Sequence, residues 1–327
     1  MSKWFKLNKC ICILAYALLY FANACAMESK QIKEELIIEE GIWAQFLAPT
    51  NSGVSEKPIL LLGGSDGGIP MELARTFCDS GFPVLAVGYF SQDRMNGAVP
   101  DFIPKEFDRI PLELIRNGLQ WLSKKFPEQK ISVIAGSKGA EGFLAFASTG
   151  DEGLLLVDKV ILRSGGAYAF EGMVHINTSK SKATGHSAWT YKGNEIPFIK
   201  YKGKPKIESY YPFTMSVGCI YEKSINKARK KGILDQTRFS LEKLSHAQIL
   251  FLSGIKDKMW PSVSMIEDLL KNHSGANNIK FYQFEQAGHA IFAQHSDQAE
   301  KSVVLIGDTT KESAENSMKI AVEFLSK

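Results

Sequence analysis

The sequence has few cysteines, and most of them lie near its start. Five cysteines occur in 327 residues, three of them at positions 10, 12 and 25. The other two, Cys78 and Cys219, are too few for a disulfide framework and lack the spacing of a metal site. They could pair in an oxidising compartment, but the sequence does not place them close together, so we expect two buried free thiols.

An excess of charge of one sign is also missing. The formal net charge is +4, and three lysines precede the first acidic residue, Glu28. Without those lysines the net charge would be +1, which offers no electrostatic footprint for nucleic acid. With 45% apolar and 23% charged residues, the composition excludes a disordered, collagen-like or coiled-coil protein.

One long hydrophobic run is present, at the N-terminus. Residues 10–21 are apolar, follow three lysines and precede a small-x-small motif at residues 24–26. The run is shorter than the roughly 20 residues that span a bilayer. We therefore predict that residues 1–26 are a secretory signal peptide and that the protein is exported to the periplasm or the medium. The alternatives are an uncleaved N-terminal anchor and a lipoprotein modified at Cys25.

Short apolar runs alternate with helical patterns from residue 58 onward. Continuous apolar runs interleaved with amphipathic helices are typical of a mostly parallel sheet covered on both faces. The pattern predicts strands at residues 36–38, 42–47, 59–62, 82–87, 131–135, 160–162, 249–252 and 279–284, and helices at 71–79, 112–122 and 314–325. Gly81 is placed to end the first of these helices. The sequence thus predicts an α/β fold.

A serine at a strand-to-helix turn is the first candidate for chemistry. Ser137 has Ala135 two residues before it and Gly139 two residues after it, which fits the small-x-Ser-x-small nucleophile elbow of α/β-hydrolases. The alternative on this motif alone is an ordinary Gly-Ser turn.

The order of two later residues favours the elbow. α/β-hydrolases carry Ser, then Asp or Glu, then His along the chain. Asp257 follows the predicted strand at 249–252, and His289 follows the strand at 279–284 in a Gly-His loop. An imidazole is needed to take the serine proton, and a carboxylate to hold its tautomer. Asp66 and Asp93 also follow strands, but they precede the serine and are the weaker candidates for the acid.

A glycine-rich loop follows the first buried strand, where this fold places half of an oxyanion hole. We predict that the backbone of Ser65 and Asp66, in the loop at 63–68, and the backbone N–H of Lys138 bind the oxyanion. A phosphate loop is the rival interpretation, but no Gly-Lys-Ser/Thr follows, and Asp66 stands where a phosphate would bind.

Residues 165–241 break the alternation of strands and helices. The stretch is rich in Gly, Lys, Ser and Tyr, and long irregular stretches in compact domains are often lids. We expect one domain over residues 27–327 with this insertion. Tyr191, Tyr210 and Phe213 are predicted to bind substrate there, the alternative being that these aromatics fill core beneath a long loop.

Several of these motifs together carry a family resemblance. The glycine-rich loop at 62–68, the Gly-Ser-Lys-Gly turn at 136–139, the Tyr-Lys-Gly segment at 191–197, residues 254–260 and the Ala-Gly-His at 287–289 resemble the acyl-CoA thioesterase and bile acid-CoA:amino acid N-acyltransferase family. The likeness covers residues 58–300, which correspond to the family's C-terminal catalytic domain. The family's N-terminal β-sandwich domain has no counterpart here, which weakens any inference of long-chain acyl-CoA specificity.

The resemblance implies an α/β-hydrolase in which Ser137 is the nucleophile, Asp257 the acid and His289 the base. Acyltransferase members carry Cys as nucleophile, so Ser137 favours water as the acceptor. We expect hydrolysis of a small-molecule thioester or ester without metal or cofactor, and no nucleic-acid partner. The alternatives are a carboxylesterase or dienelactone hydrolase-like enzyme, an acyltransferase, and a non-catalytic binding protein on the same fold.

Overall fold

Short apolar runs form most of the central sheet. In the part of the chain that the structure describes, eight strands join in the order β1-β2-β4-β3-β6-β7-β12-β13. The strands of this sheet are β1 (Ile32–Glu39), β2 (Ile42–Pro49), β3 (Ile59–Leu62), β4 (Val84–Val87), β6 (Ile131–Gly136), β7 (Val157–Arg163), β12 (Gln248–Gly254) and β13 (Ile279–Phe284).

The direction of the strands confirms the predicted, mostly parallel sheet. β1 and β2 form an antiparallel hairpin that adds to β4 antiparallel. From β4 to β13 every neighbouring pair is parallel. The carboxyl ends of the parallel strands therefore meet at one edge of the sheet, which is where ligands bind in such folds.

Alternate residues of each parallel strand enter two different cores. In β3, Leu60 and Leu62 pack with one hydrophobic cluster, and Ile59 and Leu61 pack with the other. Both faces of the strand are fully buried, as a sheet with helices on both sides requires. This arrangement is the α/β-hydrolase fold.

Helices cover both faces. The described helices are α1 (Met71–Asp79), α2 (Glu113–Lys125), α3 (Lys138–Thr149), α4 (Gly218–Lys230), α5 (Leu234–Thr237), α6 (Ser262–Leu270) and α7 (Lys311–Ser326). Apolar residues of α1 and α7 enter the cluster of Ile59 and Leu61, while those of α2, α3 and α6 enter the cluster of Leu60 and Leu62. Gly81 follows α1 with a φ of +98°, which confirms its predicted place after the helix end.

The predicted insertion contains more regular structure than its weak periodicity indicated. β8 (Glu171–Val174) pairs with β9 (Lys182–Ser187). β10 (Trp189–Tyr191) pairs with β11 (Asn194–Glu195) and, in parallel, with β5 (Ile110–Pro111). The insertion is therefore bonded to the segment before α2. In the described residues, no helix is long and apolar enough to cross a membrane.

This computed structural model describes residues 32–39, 41–50, 55, 57–92, 99–176, 181–203, 218–273, 276–292 and 309–327. The predicted signal peptide at 1–26, including Cys25, lies outside the described residues. So do Asp93, Tyr210, Phe213 and the side chain of Cys219. Cys78 is buried in α1 against the core.

Candidate active site

Ser137 lies in a sharp turn between β6 and α3. Its backbone has φ +53° and ψ −120°, a strained conformation for a residue with a side chain. The strain is tolerated because the flanking residues are small. A Cβ on Gly139 would lie 2.1 Å from the carbonyl oxygen of Gly63, and a Cβ on Gly136 would lie 2.5 Å from Nε of Arg163. The backbone N–H of Ser137 donates to the Arg163 carbonyl at 3.0 Å, which fixes the turn on β7.

His289 faces this serine from the loop after β13. Its Nε2 lies 2.8 Å from Oγ of Ser137, and its Nδ1 lies 2.9 Å from Oδ2 of Asp257. A carboxylate accepts only, so Nδ1 carries the proton that it donates to Asp257. Nε2 of the neutral ring is then free to accept the hydroxyl proton of Ser137. The structure thus brings Ser137, His289 and Asp257 into one hydrogen-bonded chain.

Asp257 is oriented by the start of the segment that leads into α6. Its Oδ1 accepts from the backbone N–H groups of Met259 at 2.9 Å and Trp260 at 3.3 Å. Its Oδ2, which faces His289, also accepts from the Ser262 hydroxyl at 2.8 Å. The carboxyl group is 2% exposed. Hydrogen bonds to both oxygens therefore hold the carboxylate in the orientation that His289 needs.

Two hydrogen bonds fix the loop that carries His289. Ser164, directly after β7, donates its hydroxyl to the His289 carbonyl at 2.6 Å. The Trp260 indole N–H donates to the Ser164 carbonyl at 2.9 Å. The Trp260 ring lies edge-on to the His289 ring, with 5.9 Å between centroids. Trp260 therefore contacts both Asp257 and His289.

The glycine-rich loop reaches Ser137 through Gly64. A Cβ on Gly64 would lie 3.4 Å from Cβ of Ser137, so the backbone of this glycine is the part of the loop next to the serine. Ser65 is half-buried and Asp66 exposed, and both follow Gly64 in the same loop. Sequence reasoning located this loop, but it named the two residues after the glycine that makes the close approach.

Tyr89, just after β4, holds the loop in place. Its hydroxyl lies 2.9 Å from the Gly63 carbonyl oxygen and 2.8 Å from the Gly64 carbonyl oxygen. Burial raises the pKa of Tyr89 well above its usual value, and the charges of Asp66 and Glu141 act in the same direction. The hydroxyl therefore stays protonated and shares its single proton between the two carbonyl oxygens, which fixes this part of the loop.

This contact leads to a testable expectation. Tyr89→Phe removes the donor and leaves two part-buried carbonyls without it, a change that costs about 1–3 kcal/mol. We expect kcat for a p-nitrophenyl ester to fall about tenfold with KM little changed, because the loop predicted to bind the oxyanion would be held less firmly. Tyr282→Phe, on the exposed side of β13, is the matched control. An unchanged kcat in Tyr89→Phe would show that this tyrosine does not contribute to the site.

One residue predicted to bind substrate lies elsewhere. Tyr191 was predicted to bind substrate, but its hydroxyl donates to Asp151 at 2.7 Å, just beyond the end of α3 that is distant from Ser137. A helix of 12 residues separates the two positions, so this prediction is wrong. Its neighbour Lys192 is bonded through its backbone N–H to Glu113. The Tyr-Lys-Gly segment therefore joins the insertion to α2 and α3.

The side chain of Lys138 also points away from the reacting atoms. Its ammonium group is 2.6 Å from Glu141, and the two side chains are 2% and 0% exposed. The backbone N–H of Lys138 remains next to Ser137.

No motif in the sequence indicated a role for Glu141, Trp260, Ser262 or Tyr89. In the described ranges, no group of three or more His, Cys, Asp or Glu side chains is placed to hold a metal ion.

Solved structures with the same fold cover nearly the whole chain. A protein assigned as a dienelactone hydrolase from Klebsiella pneumoniae subsp. pneumoniae is 12% identical, with a TM-score of 0.52 over 91% of this chain and 98% of that one. The Francisella virulence factor BioJ is 14% identical, with a TM-score of 0.52 over 95% of this chain and 90% of that one. At these identities the likeness shows the α/β-hydrolase fold. No curated protein sequence matches the chain.

A family model identifies the relationship more closely. The model described as BAAT / acyl-CoA thioester hydrolase C terminal matches residues 110–295. The matched region includes the turn at Ser137, Asp257 and the loop of His289, and it spans more than half of the chain. Together with the fold, the match supports a hydrolase of the esterase, dienelactone hydrolase and acyl-CoA thioester hydrolase type. The chain belongs to the BAAT / acyl-CoA thioester hydrolase C-terminal family.

Proposed function

We propose that this protein hydrolyses a carboxylic ester or thioester through an acyl-enzyme intermediate on Ser137. The observation that carries the proposal is the hydrogen-bonded chain from Ser137 through His289 to Asp257, with distances of 2.8 and 2.9 Å. Its members stand in the order and in the strand-end loops that a serine hydrolase requires. The strained backbone of Ser137 exposes its hydroxyl at the carboxyl edge of the sheet.

Each residue has one task in the proposed reaction. Nε2 of His289 takes the Ser137 proton as the hydroxyl oxygen attacks the acyl carbon, and it then gives that proton to the leaving alcohol or thiol. Asp257 keeps the proton of His289 on Nδ1 and stabilises the imidazolium that forms. A water then takes the place of the leaving group, and His289 activates it to release the acid.

The developing oxyanion would be held by backbone N–H groups. We propose the N–H of Lys138 at the start of α3 and an N–H of the loop that passes Ser137 at Gly64. The N-terminus of α3 adds a favourable dipole for negative charge. Glycine is needed at 139 because a Cβ there would lie 2.1 Å from the Gly63 carbonyl oxygen, where the elbow meets the loop.

A fluorophosphonate probe tests the proposed nucleophile. We expect covalent labelling of the peptide that contains Ser137, detected by mass spectrometry, and no labelling of Ser137→Ala. Labelling would also be lost in His289→Ala, because an unactivated serine hydroxyl is a weak nucleophile. A folded protein that does not react, or that reacts at another serine, would contradict the proposal and favour a binding protein on this fold.

The charged residues around the site favour simple esters over acyl-CoA thioesters as substrates. The Lys138 ammonium is buried against Glu141, and that of Lys256 donates to Gln286. The buried Lys138 ammonium is therefore not placed to contact the phosphates of coenzyme A, and the side chain of Lys256, although exposed, already has a partner. Lys258 is exposed. The formal net charge of +4 provides no strong field for a polyanion.

We therefore expect the enzyme to hydrolyse short- or medium-chain esters at least as well, by kcat/KM, as acyl-CoA with the same acyl group. Export by residues 1–26, which we also propose, would keep the enzyme away from the cytosolic pool of coenzyme A. Matched p-nitrophenyl esters and acyl-CoA thioesters provide the measurement. A clear preference for acyl-CoA that is lost in Lys256→Ala/Lys258→Ala would show that these lysines do bind the phosphates.

A further inference from the structure

A buried ion pair lies directly beside the proposed nucleophile. The Lys138 ammonium and the Glu141 carboxylate are 2.6 Å apart in the first turn of α3, and both side chains are shielded from water. Burying two charges has a large desolvation cost, so such a pair is a weak source of stability. The proposed steps of ester hydrolysis do not use either side chain.

Glu141 connects α3 to the insertion. Its Oε1 accepts from the backbone N–H of Phe170 at 3.1 Å and from the Trp189 indole N–H at 3.0 Å. Its Oε2 accepts from Lys138. The carboxylate is therefore fully engaged, and it fixes the beginning and the middle of the described part of the insertion to the helix that starts at the nucleophile.

Lys138 is surrounded by aromatic rings as well as by its carboxylate. Its Nζ lies 5.2 to 5.4 Å from the ring centroids of an aromatic cage formed by Phe107, Phe170, Tyr221 and Trp260. Rings at this distance attract a cation through their faces. The cage draws on the segment before β5, the insertion, α4 and the loop of Asp257, so the ammonium is held from several directions.

The cage also reaches the other members of the site. Trp260 donates its backbone N–H to Asp257, and its ring lies 5.9 Å from that of His289. The Lys138 ammonium therefore packs against the residue that contacts both Asp257 and His289. The backbone N–H of the same lysine directly follows Ser137.

We propose that Lys138 and Glu141 are positioning residues for the reaction, a conclusion that rests on the proposed function of Ser137. Glu141 anchors the insertion on α3, and Lys138 neutralises that carboxylate so that no uncompensated negative charge lies near the oxyanion. The ammonium, fixed in the aromatic cage, in turn holds the backbone N–H that would bind the oxyanion.

The test separates positioning from simple stability by counting active sites. Lys138→Met, Glu141→Gln and the double variant are made in the full chain, and kcat for a p-nitrophenyl ester is divided by the fraction of Ser137 that a fluorophosphonate titrates. A variant that is only less stable has fewer active sites but an unchanged kcat per site. Lys319→Met/Glu323→Gln, an exposed pair on α7, is the matched control.

We expect Lys138→Met to lower kcat per site by about a hundredfold, comparable to the loss of an oxyanion donor. Glu141→Gln should lower it about tenfold, with KM nearly unchanged in both variants. The double variant should regain most of the loss. Methionine still fills the aromatic cage, glutamine still accepts from Phe170 and Trp189, and no uncompensated charge is left to draw water inward.

Two results would overturn the proposal. One is an unchanged kcat per site in both single variants, which would make the pair purely structural. The other is a loss in the double variant at least as large as the product of the single losses. If Lys138→Met does not fold, the comparison of Glu141→Gln with the double variant decides the same question. A wild-type protein that neither titrates nor turns over would contradict the proposed function instead.

Discussion

Ser137→Ala, His289→Ala and the double variant should all lose similar amounts of activity, roughly 10⁵- to 10⁶-fold in kcat. The reason is that the hydroxyl and the imidazole act as one unit, joined by the 2.8 Å hydrogen bond between Oγ and Nε2. Once either is missing, the other has no proton transfer to perform, so its removal changes little. Residual turnover would come from the groups that bind the oxyanion.

Steady-state kinetics with a p-nitrophenyl ester gives the measurement, and thermal unfolding shows that each variant is folded. His186→Ala is the matched histidine control. His186 is exposed in the insertion, and its Nδ1 lies 2.9 Å from Oε1 of Glu195. It should keep wild-type activity. A double variant far less active than either single variant would mean that Ser137 and His289 act separately, and the proposed mechanism would then be wrong.

Much of the fold could be predicted from the sequence because parallel strands buried on both faces are continuously apolar. Ile59, Leu60, Leu61 and Leu62 all lie in the core, so the strand is visible without any alternation. The site followed from the same logic, since Ser137, Asp257 and His289 each come shortly after such a strand. Carboxyl ends of parallel strands share one edge of the sheet, and the structure places the three side chains there together.

The features that could not be predicted depend on contacts between distant segments, and the sequence has no periodic pattern that indicates such contacts. Tyr191 was assigned to the substrate site because it lies in the insertion, but its hydrogen bond to Asp151, just beyond the end of α3, places its hydroxyl far from Ser137. Likewise, nothing in the sequence indicates that Lys138, directly after Ser137, is buried. Its burial requires Glu141 and rings from distant segments, which no local pattern specifies.

The second large expected effect concerns Asp257, the proposed acid. Asp257→Asn should lower kcat by roughly 10⁴-fold while the protein remains folded. The cause is specific to the hydrogen bonds around this carboxyl group. Its Oδ1 accepts from the backbone N–H groups of Met259 and Trp260, so the amide oxygen of asparagine must take that position. The amide nitrogen is then forced to face His289.

A nitrogen that faces Nδ1 can only donate, so Nδ1 must accept and the proton of His289 must reside on Nε2. That tautomer presents a donor to the Ser137 hydroxyl and cannot take its proton. Ser262→Ala is the graded control, because it removes one donor to Oδ2 but leaves the carboxylate and its backbone partners in place. We expect it to lower kcat by less than about tenfold, the scale of one hydrogen bond to a charged group. If Asp257→Asn retained activity within tenfold of wild type, His289 would have to find its tautomer without Asp257. The Asp257 carboxylate would then only fix the segment that leads into α6 and would take no part in the proton transfer.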